Sequence, residues 1–60
     1  MWMTYDEIIA QLDEHDPECP LRANGTSGGF WAVRVKDLRA YLAGGTIDPK
    51  QIASLEFFPP

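Results

Sequence analysis

Sixty residues, 45% of them apolar and 12% aromatic, make one small domain with enough apolar surface for a core, which excludes a disordered chain. The lone Cys19 excludes an intramolecular disulfide framework, and no apolar run approaches the roughly 18 residues of a membrane span. Net charge is −4, spread unevenly: residues 1–18 carry −6, residues 19–46 carry +3 and the remainder −1.

That split has two readings. The halves stay apart and the domain is bipolar, which points to a charged partner, or folding brings them together and neutralises them. The start, MWMTYDEI, lacks the basic and long apolar regions of a signal peptide, so a reducing cytoplasmic setting is expected. A core of about a dozen side chains leaves little room for a buried cofactor, and none is expected.

Thr4 followed by Glu7 is a capping-box pattern, and acidic residues in the first turn suit the helix dipole. Tyr5, Ile8, Ile9 and Leu12 recur at helical spacing and define an apolar stripe. Asp6, Glu7, Asp13 and Glu14 fall on the opposite face. Asp16-Pro17 stops the helix, because a residue before proline disfavours the helical region. A first helix over residues 4–15 follows, with Trp2 packing back on it as a hydrophobic staple.

DPECP reads as a loop, and Asn24-Gly25 opens a turn that Thr26, Ser27, Gly28 and Gly29 prolong. Phe30 to Val35 is the strongest strand signal. Trp31, Val33 and Val35 point one way, and Phe30, Ala32 and Arg34 the other. These runs predict a hairpin of residues 21–24 with 29–35. Lys36-Asp37 begins a second helix, with Val35, Leu38, Tyr41 and Leu42 on one face and Gly44-Gly45 as its glycine cap. Asp48-Pro49-Lys50-Gln51 combines an N-cap, a proline at the first helical position and a box-completing Gln, which predicts a helical turn over 49–54. Residues 55–58, LEFF, form either a third strand or a tail that plugs the core.

Candidate chemistry is sparse. GTSGG lacks the Lys-Ser/Thr pair of a phosphate loop and precedes a strand, so it reads as a hairpin tip. His15, Asp16, Glu18 and Cys19 have ligand-type side chains, but they form one dense cluster where tetrahedral sites draw on paired motifs. No metal site is expected. A Cys19–His15 nucleophile pair would need an orienting group and an oxyanion site, so no catalytic residue is assigned. Seven large aromatics exceed what so small a core holds. Phe30 or Trp31 beside Arg34 is the expected interface anchor.

Residues 28–44, GGFWAVRVKDLRAYLAG, resemble the wing and final helix of the excisionase-type winged helix-turn-helix family. In that family a glycine tip, a strand of alternating apolar and basic residues and an Asp-Leu helix start follow one another. The resemblance implies DNA binding, with Arg22, Arg34, Lys36 and Arg39 as phosphate contacts. This sequence departs where the recognition helix belongs, because DPECPLRANGTS contains two prolines and a glycine.

The expected fold is a small α+β domain, α-β-β-α with a short C-terminal helical turn or strand, both helices on one side of a hairpin sheet. The expected function is a non-enzymatic protein-binding module of the phage or mobile-element inhibitor type, anti-CRISPR proteins included. Its acidic helix face and the Phe30, Trp31 and Arg34 group would meet a basic partner surface. The alternatives are a winged-helix-like DNA-binding regulator and a small homodimeric structural piece.

Overall fold

A computed structural model of the chain describes residues 1–59. The elements run α1 (Tyr5–Asp13), β1 (Pro20–Gly25), β2 (Phe30–Arg34), α2 (Val35–Ala43), a 3-10 turn (Pro49–Gln51) and β3 (Ile52–Phe57). The three strands form one antiparallel sheet in the order β2-β1-β3. The fold is α+β, and β3 is a full third strand.

Each helix begins where its local chemistry requires. Thr4 Oγ1 accepts the Glu7 amide, while the Glu7 carboxylate accepts the Thr4 amide, so both arms of the capping box are present. α1 ends at Asp13, two residues short of the expected His15. Beyond it the chain turns as Asp16 accepts the Glu18 amide on Oδ1 and the Cys19 amide on its carbonyl. Met3, which directly precedes the N-cap, is buried with Ile8, whereas Trp2 is exposed. The staple is therefore formed by Met3, the residue before the N-cap, in the same buried cluster as Ile8.

At the hairpin tip, the Gly25 amide donates to the Gly29 carbonyl and Gly28 donates back to Gly25. Gly28 and Gly29 have φ of +86° and +72°, a region costly for residues with a Cβ. Residues 16–27, where a winged-helix arrangement would need its recognition helix, hold the Asp16 turn, β1 and the start of this tip. α2 starts at Val35, one residue before the expected Lys36. The Val35 and Lys36 amides donate to the carbonyls of Cys19 and Pro17, so the turn after α1 supplies the missing cap.

The helical turn near Asp48 is shorter than its sequence suggests. Its capping box forms, but the turn ends at Gln51 and Ile52 is already extended. The sheet explains this: β3 pairs with β1 across four registered positions from Phe57–Leu21 to Ser54–Asn24, then shifts to place Ile52 beside Gly25. Long-range pairing thus outcompetes local helix propensity over residues 52–54.

One face of the sheet carries the core. Leu21 and Ala23 are buried, and their registered partners Trp31, Val33, Leu55 and Phe57 lie on the same side. Ile8 and Leu12 of α1, with Val35, Leu38 and Leu42 of α2, close over them, and Ile47 and Ile52 complete the cluster. The opposite face, carrying Pro20, Arg22, Asn24, Phe30, Ala32, Arg34, Ser54 and Glu56, is left without a covering layer. None of the helices among the described residues is long and apolar enough to cross a membrane.

Candidate functional site

Charge is where folding changes the sequence picture most. Arg39 of α2 pairs with Asp13 of α1, and Lys36 pairs with Glu18 at 2.6 Å. Arg22 of β1 grips Glu56 of β3 with both carboxylate oxygens at 3.0 Å. The first two contacts join the acidic N-terminal stretch to the basic middle, so folding brings the two halves together. Hydrogen bonding to Glu18 holds the Lys36 ammonium above its ordinary range, and the Arg22 and Asn24 donors hold the Glu56 carboxyl below its own.

The carboxylates assigned to the α1 face therefore differ in what they can still do. Glu7 is committed to the capping box, where the Thr4 amide and hydroxyl keep its carboxyl below the usual range. Asp13 is committed to Arg39. Asp6 and Glu14 take no hydrogen bond or ion pair among the described residues, and Asp16 keeps one oxygen outside its turn. Asp6, Asp13 and Glu14 remain on one exposed face, as their spacing implies. Asp37 in the first turn of α2 is likewise without an ion pair among the described residues, and the larger share of residual negative charge lies along α1 and the turn that follows it.

The remaining cations are occupied as well. Arg34 donates from Nη1 to the Glu18 carbonyl at 2.7 Å, and the Lys50 ammonium stands 5.8 Å from the Trp2 ring. Of the four residues assigned to phosphate contact, Arg22, Lys36 and Arg39 are paired with carboxylates, and only Arg34 is not.

The open sheet face holds the aromatic anchor. Phe30 is 60% exposed, with the Arg22 guanidinium 5.2 Å from its ring centre, a cation–π geometry. The expected partner Arg34 lies four residues along the same strand, too far along the pleat to stack on it. Trp31 is half-buried on the helix side. Asn24 donates to Ser54 and to Glu56, which extends the Arg22–Glu56 pair into a polar row across β1 and β3. Sequence reading did not find Glu56, Asn24 or Ser54. Alternation would have placed Ser54 and Glu56 on one face once residues 52–57 were recognised as a strand.

His15 and Cys19 are separately engaged. The imidazole stacks on Phe57 with ring centres 3.7 Å apart, and the thiol points at the carbonyls of Pro20 and Phe58. Glu14, His15, Asp16, Glu18 and Cys19 bound a shallow concavity of about 390 Å³. No group of three or more His, Cys, Asp or Glu among the described residues is placed to hold a metal ion.

Comparison of the chain with family models, with curated proteins and with solved structures finds no match.

Proposed function

We propose that this chain is a non-enzymatic protein-binding module whose acidic α1 surface docks on a basic patch of its partner. One observation carries the reading: among the described residues, internal pairing ties three of the five cations to carboxylates and leaves Asp6, Glu14 and Asp16 without a cation on α1 and its following turn. A surface of one sign steers and orients a partner of the opposite sign. Duplex DNA, which rewards free Lys and Arg by counterion release, finds one carboxylate-free arginine on the sheet and an excess of negative charge. Small size and acidic net charge match the general character of phage and mobile-element inhibitors, such as anti-CRISPR proteins. The likeness is one of type.

The test is charge reversal. Asp6→Lys combined with Glu14→Lys abolishes capture of the partner and leaves the melting temperature nearly unchanged, because neither side chain has an internal partner and the dipole cost at the N-terminus of α1 is offset by the gain at its C-terminus. Arg34→Ser leaves capture intact. The reading fails if Arg34→Ser removes binding and the α1 reversal does not.

A further inference from the structure

β2 is an edge strand, and its hydrogen-bonding pattern shows which of its backbone groups are free. In an antiparallel ladder, residues alternate between pairs that exchange both hydrogen bonds and pairs that exchange none. The Gly25 amide donates to the Gly29 carbonyl, which puts Ala23–Trp31 and Leu21–Val33 in the bonded class. The Phe58 amide donates to Pro20, which directs Arg22 and Asn24 to β3 instead. The N–H and C=O groups of Phe30 and Ala32 and the N–H of Arg34 therefore point outward from β2. None of them takes another hydrogen bond among the described residues. The Arg34 carbonyl differs, because as the N-cap position it accepts the first bond of α2.

The other edge is treated differently. The N-terminal segment lies on β3, with the Met3 amide donating to the Ile52 carbonyl at 2.8 Å. No strand or segment among the described residues pairs with the outer side of β2, which ends the sheet order β2-β1-β3. Proteins usually blunt such an edge with charged side chains, proline, a bulge or a covering segment; β2 is short and carries one charge, Arg34 at its end, with no proline and no bulge.

We propose that the β2 edge pairs with the β2 edge of a second copy of this chain, antiparallel, about a two-fold axis at Ala32. The five residues are self-complementary in that register. Phe30 stands opposite Arg34 of the second copy, Trp31 opposite its Val33, and Ala32 opposite its Ala32. Arg34 is the sheet arginine without a carboxylate, its guanidinium held only through Nη1 by the Glu18 carbonyl, and Phe30 is 60% exposed beside Arg22. Two cation–π contacts thus close the open face of the seam. On the helix side, half-buried Trp31 and Val33 cover each other. No like charges oppose one another, and the smallest side chain sits on the axis. The product is a continuous six-stranded sheet with β3 of each copy at its outer edges.

The monomer does not need this contact to fold. Its 3891 Å² of accessible surface equals the roughly 3,900 Å² expected of a free-standing 6.7 kDa domain. A five-residue seam buries an area at the small end of specific interfaces, so the dimer is reversible and forms at high concentration.

Sedimentation equilibrium from about 10 µM to about 1 mM tests the assignment. The unaltered chain moves from 6.7 kDa toward twice that mass as concentration rises. Ala32→Pro stays monomeric throughout, with an unchanged circular dichroism spectrum, because its outward N–H serves no internal bond and proline is tolerated at an edge. Phe30→Lys sets a like charge opposite Arg34 and weakens self-association about tenfold or more. This second variant keeps the test decisive if the proline disturbs the strand. A chain that remains at 6.7 kDa across the range overturns the proposal, as does a dimer that persists in the Phe30→Lys variant. In either of those cases a different extended segment, or none, occupies the edge.

Discussion

Leu12→Ala probes the packing on which every surface feature depends. Leu12 is fully buried beneath α1, in contact with the cluster that includes Ile8, Leu38 and Ile52. Truncating a buried leucine costs about 2–5 kcal/mol, the transfer of the lost atoms plus the cavity left behind. A domain of this length has a total stability of only about 3–9 kcal/mol. The substitution should therefore remove roughly half of the margin at mid-range values and lower the melting temperature by about 10 °C or more. Urea unfolding followed by far-ultraviolet circular dichroism reads this directly, with exposed Gln11→Ala as the neighbouring control, expected within about 0.5 kcal/mol of the parent. A Leu12→Ala loss below about 1 kcal/mol at unchanged denaturant slope would refute the packing of α1 on the sheet.

Three further outcomes follow from the same geometry. Gly25→Ala should open the hairpin tip, because a Cβ there would stand 2.9 Å from the Gly28 carbonyl; hydrogen exchange of the Gly25 amide should accelerate while the amides of α1 do not. Acid should weaken the fold through Glu7 and Glu56: their carboxyls are held below the ordinary 4.5, so their stabilisation is present above that pH and is lost as pH falls through the lowered values. Stability measured against pH should accordingly fall more gently below pH 4.5 in Glu7→Gln than in the parent. Alkali acts on the other sign: Lys36 is held above 10.5, so its contribution is complete below that pH and is lost as pH rises past the raised value, and Lys36→Met should flatten that limb.

The parts of the fold legible in the sequence are those fixed by local chemistry. The Thr4–Glu7 box, the glycine tip and the alternation of Phe30 to Arg34 each follow from a few adjacent residues, and each is found at its expected place, whereas α1 ends two residues before the stop that Asp16-Pro17 implies. What was not legible depends on residues far apart in the chain. Residues 52–54 look like the end of a helical turn, and only pairing with Asn24 and Gly25 makes them a strand. The same separation hid the candidate site. Asp13 and Glu14 are adjacent and chemically alike, yet Arg39, 26 residues away from Asp13, removes one from the available charge and leaves the other. Arg22 reads as a free cation until Glu56 arrives from the last strand. Trp31 and Phe30 are equivalent aromatics in composition, and the pleat sends one to the core side and the other to water.

The most direct test of the protein-binding account is affinity capture with the tagged chain from a lysate of the organism that carries it, at low and at high salt. A gel shift against duplex DNA runs in parallel. The account predicts a discrete protein, released by salt and by the Asp6→Lys/Glu14→Lys reversal, with no shift of the DNA. A DNA shift that weakens steeply with salt, with no protein captured, would contradict it.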